Sequence, residues 1–201
     1  MKILGETARV GRPRAFDAEK TLEAAMRVFW RKGYEGTSLS DLTEAMGINR
    51  PSLYATFGNK EELFRKVVER YGNEVCALQS RALGAPTARE VVQALLCDAA
   101  GRTTSAETPG CLVVQSALVG GEESGTIRKE LCDVRAAMEE RLRDRFERAR
   151  VEGDLPPETD AADLARYVVT VMNGMTVQAQ SGASAEDLRR VAEVALRAFP
   201  G

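Results

Sequence analysis

The stretch Gly36–Phe64, GTSLSDLTEAMGINRPSLYATFGNKEELF, contains the pattern that decides the fold. Two short helices are predicted on either side of Gly47, Ile48 and Asn49, which form a tight turn. Gly47 can adopt the positive φ that ends the first helix, and Ile48 is the apolar residue that plugs the pair. Such a turn sets the second helix steeply across the first, so a helix-turn-helix is predicted over about residues 38–57. Its buried side is predicted to comprise Leu39, Leu42, Ala45, Leu53 and Phe57.

The outer side of the second short helix carries small or polar side chains, namely Arg50, Ser52, Ala55 and Thr56. A helix with this outer face fits the major groove of DNA, which is about 12 Å wide. Thr37 and Ser38 precede a helix start, where hydroxyl and backbone N–H groups can hold a phosphate, and Lys60 begins the next helix. The pattern therefore indicates a DNA-binding surface.

An arm over residues 1–14 precedes the first helix and is punctuated by glycine and proline. It contains Arg9, Arg12 and Arg14, and it is too polar to fold alone. The negative potential of a minor groove attracts arginine, so we expect this arm to reach a groove next to the helix-turn-helix. The alternative is an arm that only solubilises the chain.

Helix signals continue along the rest of the chain, and the predicted helices are 18–32, 40–46, 50–57, one from 60, 87–103, 110–119, 125–152, 160–181 and 185–199. Only the run Cys111–Val114 favours a strand, and it is short. We predict an all-α fold of about nine helices, with a three-helix head over residues 15–71 and a helical body over residues 72–201.

The composition excludes several classes of chemistry. The 201 residues include no histidine, which removes Ser-His and Cys-His catalysis and His-ligated metal sites. The four cysteines form no CxxC pair, so no metal site and no cofactor are expected. No signal peptide or membrane span is evident, and a cytoplasmic protein is expected.

The net charge of −2 is an average over two unlike parts. Residues 1–71 contain 13 basic and 10 acidic side chains, whereas residues 72–201 contain 15 and 20. This polarity favours contact of the head, and not of the body, with DNA. Residues 138–152 carry charges of both signs and are interpreted as a solvated helix face.

The last two predicted helices are apolar around much of their circumference, which is typical of helices buried on more than one side. We expect them to form a twofold four-helix interface with a second copy of the chain. The predicted interface residues are Tyr167, Val168, Val171, Leu188, Val191, Ala195 and Leu196. The alternative is that these helices belong to the core of a monomer.

A ligand chamber is expected between the head and these two helices. Methionine and leucine with a few polar groups suit a largely apolar pocket, although ordinary core packing is the alternative for each residue. Gln115 stands out because a polar amide in an apolar run needs a partner. The candidate lining residues are Leu95, Leu96, Cys97, Cys111, Val114, Gln115, Leu118, Val134, Met138, Met172 and Met175.

Residues 12–66 resemble the DNA-binding domain of the tetracycline-repressor (TetR/AcrR-like) family of bacterial transcriptional regulators. The resemblance rests on a helix-one pattern ending in Phe29, on the block 53–57, on the block 59–63 that follows it, and on single residues in register. Those single residues are Gly33, Tyr34, Gly36, Thr37, Ser38, Leu42, Ala45, Gly47 and Ile48. The resemblance implies a homodimer with an N-terminal DNA-binding head and an effector-binding helical body.

The resemblance also implies roles for individual residues. Phosphate contacts fall to Thr37, Ser38, Tyr54 and Lys60, and the positions nearest the base edges are Arg50, Pro51 and Ser52. The positions of Ala55 and Thr56 are commonly larger in the family, often tyrosine and histidine. Ala55 reaches no further than a thymine methyl group, so base readout there differs from the usual pattern.

Together these features predict a transcriptional regulator, not an enzyme, that represses from a palindromic operator and is released by a largely apolar small molecule. Two other classes remain open: a helical adaptor or ligand-independent regulator, and a carboxylate-dependent enzyme. Replacing Arg50 and Tyr54 separates a regulator from an adaptor or an enzyme, because only a regulator loses DNA binding.

Overall fold

The structure is a computed structural model that describes residues 17–118 and 125–200, apart from the side chains of Ala117 and Leu118. The described residues form nine α-helices and no strand, which confirms the predicted all-α class. The helices are α1 (Ala18–Lys32), α2 (Leu39–Met46), α3 (Arg50–Phe57), α4 (Lys60–Leu83), α5 (Ala88–Arg102), α6 (Leu112–Leu118), α7 (Gly125–Val151), α8 (Ala161–Gln180) and α9 (Ala185–Ala198). The strand-prone run at 111–114 is helical from Leu112, because its apolar side chains pack against helices of the head.

Capping side chains fix many of the helix starts. Ser38, Asn59, Thr87 and Ser184 each accept a bond from the backbone N–H three residues later, and the acidic side chain at that later position accepts one in return. Each reciprocal pair satisfies two backbone donors that would otherwise lack partners. Short polar motifs therefore set where α2, α4, α5 and α9 begin.

The first core is formed by α1, α2, α3 and α4. Phe29 lies edge-on to Phe64 with ring centroids 4.9 Å apart, a favoured aromatic geometry. Leu42 and Leu53 are fully buried and attach α2 and α3 to this core. Ala45 is exposed, contrary to the prediction, because the next residue, Met46, fills the buried position at the end of α2.

The same core extends into the body. Leu112, Val113, Ile127 and Leu131, from α6 and the start of α7, pack into it. The predicted boundary between residues 71 and 72 falls inside α4, a continuous helix of 24 residues. A rigid helix, and not a linker, thus connects the two predicted domains, whose division remains a prediction.

A second core joins α5, α7, α8 and α9. Leu142 and Phe146 of α7 are fully buried there, and Phe146 packs against Phe199 at 5.7 Å. Arg145 is 5% exposed and donates to the carbonyls of Leu83 (3.2 Å), the last residue of α4, and of Ala85 (3.0 Å) just beyond it. The interpretation of residues 138–152 as a solvated face is therefore wrong for the inner side of α7.

Over residues 17–118 and 125–200, no helix combines the length and the apolar character that a bilayer crossing requires. In the same part of the chain, His, Cys, Asp and Glu side chains form no group of three that could hold a metal ion.

Candidate functional site

The turn between α2 and α3 has left-handed geometry. Gly47 adopts φ +64° and ψ +28°, and the Ile48 N–H donates to the Thr43 carbonyl at 3.2 Å. Asn49 caps α3 by accepting a hydrogen bond from the Ser52 N–H at 2.9 Å. This capping role was missed in the sequence, where Asn49 was counted only as a turn residue. The glycine conformation and the cap together fix the entry angle of α3.

One side of α3 is anchored and the other is exposed. Leu53 is fully buried and Phe57 is 5% exposed, so both hold the helix on the head core. Tyr54 is 49% exposed, which is unusual for a large aromatic side chain. The exposed residues of α3 are Arg50, Pro51, Tyr54, Ala55 and Thr56, and Ser52 is half-buried. The face predicted to meet DNA is thus free in the single chain.

Arg50 links the two helices of the motif on the outside. Its Nη2 donates to the Ser40 Oγ of α2 at 3.1 Å, and both residues are exposed. A guanidinium has five N–H donors, so this bond leaves others for an acceptor on DNA. The bond holds Arg50 over the turn between α2 and α3.

The start of α2 is held by a polar cluster. Asp41 accepts from Lys32 Nζ at 2.7 Å and from the Ser38 N–H at 2.9 Å, and Ser38 Oγ accepts from the Asp41 N–H at 3.1 Å. The bond from Lys32, followed by those from Ser38, holds the pKa of Asp41 far below its usual range. Asp41 therefore remains ionised, and Ser38 is fixed at an exposed helix N-terminus.

Thr37 does not face solvent. It is 2% exposed, and its Oγ1 donates to the Gly33 carbonyl at 2.6 Å. The predicted phosphate contact of the Thr37 hydroxyl is therefore wrong, because the loop before α2 turns this side chain inward. Thr37 instead ties that loop to the end of α1.

Lys60 is half-buried at the start of α4. Its Nζ lies 4.5 Å from the centroid of the Tyr34 ring, within the range of a cation–π interaction. Burial lowers the pKa of Lys60, and Glu35 acts in the opposite direction. Lys60 therefore packs against Tyr34 in the single chain, and its phosphate contact stays a prediction.

Arg12 and Arg14, the predicted minor-groove residues, lie outside the described residues. The N-terminal segment that contains them, residues 1–16, carries the excess positive charge of residues 1–71. Residues 17–71 contain nine basic and nine acidic side chains, whereas residues 1–16 contain four and one. Residues 17–71 are therefore electrically balanced, and the excess positive charge of residues 1–71 belongs to the arm.

A cavity of about 300 Å³ lies between α4, α5, α6, α7 and α8. This volume is at the lower end of the range for small-molecule sites. Most of the lining is apolar. Of the predicted lining residues, it includes Cys111, Val114, Val134, Met138 and Met172.

The other predicted lining residues lie elsewhere. Leu95, Leu96 and Met175 are at most 2% exposed and fill the body core, because α5 and α8 turn these positions toward α9 and each other. Cys97 is exposed on α5. The side chain of Leu118 is not among those that the structure describes. Gln115 has the hydrogen-bond partner that was expected for an amide in an apolar run, because its Nε2 donates to the Pro109 carbonyl at 2.7 Å.

Polar lining residues of the cavity were missed in the sequence. The Tyr71 hydroxyl donates to Cys111 Sγ at 3.2 Å and accepts from Arg102 Nη1 at 3.0 Å. Burial is the main cause that raises the pKa of Tyr71 above its usual range. Arg135 and Arg141 of α7 also line the cavity. The spacing of Val134, Met138 and Arg141 at i, i+4 and i+7 was a usable signal for this face.

The predicted dimer residues divide into two groups. Val168, Leu188 and Ala195 are at most 5% exposed because they pack into the core of their own chain, so they are not available to a partner. The remaining ones, Tyr167, Val171, Val191 and Leu196, are exposed or half-buried. Val194, which was not predicted, is 56% exposed and lines the same shallow groove as Tyr167 and Val191. An apolar face of α8 and α9 therefore remains uncovered in the single chain.

Two family models match this chain. The model described as "Bacterial regulatory proteins, tetR family" matches residues 22–67, and the one described as "Tetracyclin repressor-like, C-terminal domain" matches residues 86–195. The first covers the helix-turn-helix, and the second covers most of the cavity lining and most of the uncovered face.

Individual proteins are similar over nearly the whole chain. The HTH-type transcriptional repressor ComR of Escherichia coli K12 is 37% identical over 195 residues, 94% of this chain and 92% of that protein. The repressor BdcR of the same strain is 30% identical over 187 residues, 92% of this chain and 90% of that protein. A solved structure of a cysteine mutant of the TetR family transcriptional regulator CifR, complexed with 26-base-pair double-strand operator DNA, is 47% identical. It covers 94% of this chain and 100% of its own, with a TM-score of 0.89.

Proposed function

The chain belongs to the tetR family of bacterial regulatory proteins, and we propose that it represses transcription by binding a palindromic operator as a homodimer. We propose further that a small molecule in the cavity releases it. The chain is a helix-turn-helix transcriptional regulator. The observation that carries the proposal is the exposed outer face of α3, which the buried Leu53 and Phe57 hold in a fixed orientation. The operator complex of the similar regulator CifR supports the extension to DNA.

Two sets of residues contact DNA in this proposal. The residues nearest the base edges are Arg50, Pro51, Ser52 and Ala55, and the phosphate contacts fall to Ser38, Tyr54 and Lys60. Arg50 has the donor geometry for bidentate recognition of guanine. Arg12 and Arg14 enter a minor groove, which attracts guanidinium groups through its negative potential. Thr37 contributes through packing.

A second copy of the chain covers the exposed face of α8 and α9. The exposure of Val191 (44%) and Val194 (56%) supports this assignment, because contiguous apolar patches of this kind mark interaction surfaces. In the proposed dimer, each copy presents its α3 helix to one half of the operator. Binding to successive major grooves requires a separation of about 34–36 Å.

Ligand and DNA are coupled through α4 and α6. Lys60, at the start of α4, follows α3 after only two residues, and Tyr71 further along the helix lines the cavity. Leu112 and Val113 of α6 pack into the head core, and Val113 also lines the cavity. A ligand that prefers one arrangement of these helices alters the separation of the heads, and couplings of this type are typically worth about 1–3 kcal/mol.

The chain thus works as a cytoplasmic regulator without catalytic activity of its own. Residues 1–14 form the arm, residues 15–71 the DNA-binding domain, and residues 72–201 the effector and dimerisation domain. The absence of histidine from the sequence supports a non-enzymatic role, because it removes the commonest general base.

Titration of fluorescently labelled DNA tests the first part of the proposal. The probe is the promoter region upstream of the gene that encodes this chain, and a shuffled duplex of the same composition is the control. We expect at least about a hundredfold preference for the promoter at moderate salt. Equal affinity for both duplexes would rule out operator recognition at this promoter, and the neighbouring promoters are then screened in the same way.

A further inference from the structure

The charge of the cavity differs from that of the body around it. Three arginines, Arg102, Arg135 and Arg141, line the cavity, and no aspartate or glutamate of the described residues does. The body as a whole is acidic, with 15 basic and 20 acidic side chains over residues 72–201. The positive lining is therefore a local feature and does not reflect the composition.

Among the described residues, only one of these three arginines has a carboxylate within ion-pair distance. Arg102 forms an ion pair with Asp98 at 3.2 Å and also donates to the Tyr71 hydroxyl. Within the described part of the chain, neither Arg135 nor Arg141 has a carboxylate within ion-pair distance. Other arginines of α7, such as Arg143, do form ion pairs.

The donors of these two side chains are incompletely used. Arg141 Nη2 donates to Ser80 Oγ of α4 at 2.7 Å. The Nε of Arg135 is buried and has no hydrogen-bond partner among the described residues. A buried donor without a partner costs free energy, and an acceptor in the cavity removes that cost.

We propose that the effector is a small organic acid with a largely apolar body, whose anionic group is bound by Arg135 and Arg141. This inference rests on the proposed function and specifies its ligand. Guanidinium groups bind carboxylates through charge-assisted hydrogen bonds, which are about twice as strong as neutral ones. The aliphatic remainder of the ligand contacts the apolar lining, which includes Val75, Val114 and Val169.

The same lining disfavours other ligand classes. A lipophilic cation is disfavoured, because the described lining holds three guanidinium groups and no acidic side chain. A neutral ligand leaves both arginines without a counterion. A carboxylate near Arg141 also competes with Ser80, which lies on the helix that connects the chamber to the head.

Three probes of equal length test the proposal: octanoate, octanamide and octylamine. Their binding to the full-length chain is measured by titration calorimetry at neutral pH. We expect octanoate to bind at least about tenfold more tightly than either of the others. Equal or weaker binding of octanoate, or no binding at millimolar concentration, would overturn the proposal without any variant.

Substitutions then test whether Arg135 and Arg141 are the residues that bind the anionic group. In Arg135→Met and Arg141→Met, singly and combined, we expect the preference for octanoate over octanamide to fall to less than about threefold. Octanamide binding by the variant reports that the chamber is intact. The control is Arg143→Met on the exposed side of the same helix, which keeps the preference. A preference that survives in the double variant overturns the assignment.

DNA titration without any probe keeps the two proposals apart. Octanoate selectivity in a chain that binds no operator leaves the effector class standing and removes the proposed function. Operator binding by a chain that does not prefer octanoate leaves the proposed function standing and removes the proposed effector class.

Discussion

The indole N–H of Trp30 donates a hydrogen bond of 2.8 Å to the carbonyl oxygen of Pro109, 79 residues along the chain. Trp30 lies in α1 of the head, and its ring meets the ring of Tyr71 edge-on at 5.0 Å. Pro109 precedes α6, whose neighbouring residue Cys111 lines the cavity. Trp30 of the head thus contacts the segment through which the chamber and the head are joined.

The same carbonyl has a second donor. Gln115 Nε2 lies 2.7 Å from it, so the head and α6 hold the Pro109 oxygen together. A carbonyl oxygen has two lone pairs and accepts both bonds at once. This arrangement gives a buried indole N–H and a half-buried amide N–H the same acceptor.

The two bonds are expected to be energetically coupled. Trp30→Phe and Gln115→Met each remove one donor and leave the other, so each costs about 1 kcal/mol in hydrogen bonding, apart from any change in packing. The double variant leaves the carbonyl without a side-chain donor, and its cost should exceed the sum of the single costs by at least about 0.5 kcal/mol. Unfolding in urea is monitored by circular dichroism. Tryptophan fluorescence is unsuitable because Trp30→Phe removes the only tryptophan of the chain. Additive costs would show that the two donors act independently.

Gly110 is expected to tolerate no side chain. Its φ is +83°, and an added Cβ overlaps the Gln115 amide and comes 3.1 Å from the Thr176 carbonyl oxygen. Moving the Gln115 amide breaks its bond to Pro109, so Gly110→Ala should lower the free energy of unfolding by at least about 2 kcal/mol.

The matched control is Gly101→Ala in α5. A Cβ at Gly101 meets nothing within 4 Å, and its φ is not positive. Alanine is favoured over glycine in a helix, so this variant should be stabilised by about 0.5–1 kcal/mol. Both variants are compared by urea unfolding, and a similar stability for the two would contradict the role of the turn at Gly110.

Local features of this chain were predictable because they depend on neighbouring residues. Gly47 ends α2 in the predicted left-handed conformation, and Pro51 occupies the first turn of α3. The bounds of the predicted helices agree with those observed to within about two residues. Capping chemistry and apolar spacing supply this information within a single turn of helix.

Contacts between distant segments were not predictable in the same way. No local pattern brings Trp30 to Pro109, or identifies Arg145 as a buried partner of backbone carbonyls. Thr37 was expected to contact phosphate because it precedes a helix start together with Ser38, but Thr37 is buried whereas Ser38 is exposed. Arg135 and Arg141 of α7 were not predicted to line the chamber, although Val134 and Met138 were, because charged side chains at i, i+3 and i+4 are typical of a solvated face.

The exposed face of α3 and the start of α4 make separable contributions to DNA binding. Arg50→Ala should cost about 1–3 kcal/mol on the preferred operator and much less on shuffled DNA, because it removes base recognition. Lys60→Gln should weaken binding to both duplexes and reduce the slope of log affinity against log salt by about 1. Both are measured by fluorescence anisotropy over a range of salt concentrations.

The control for these variants is Arg148→Ala. Arg148 is an exposed arginine near the end of α7, 4.0 Å from Glu152, and it lies outside the helix-turn-helix. The Arg148→Ala variant should match the unsubstituted chain in its affinity for DNA and in the slope of log affinity against log salt. If Arg50→Ala and Arg148→Ala behave alike, α3 is not the element that reads the operator.

Val194→Arg should prevent dimer formation. Val194 and Val191 are exposed beside Tyr167, and a charge at this position is desolvated without a partner when two copies meet. Light scattering after size-exclusion chromatography should give the mass of one chain, and operator affinity should fall by at least about a hundredfold because two linked heads no longer bind together. The control is Val151→Arg at the end of α7, where the valine is 77% exposed and outside this face. A Val194→Arg chain that remains dimeric with full operator affinity would place the interface on another surface.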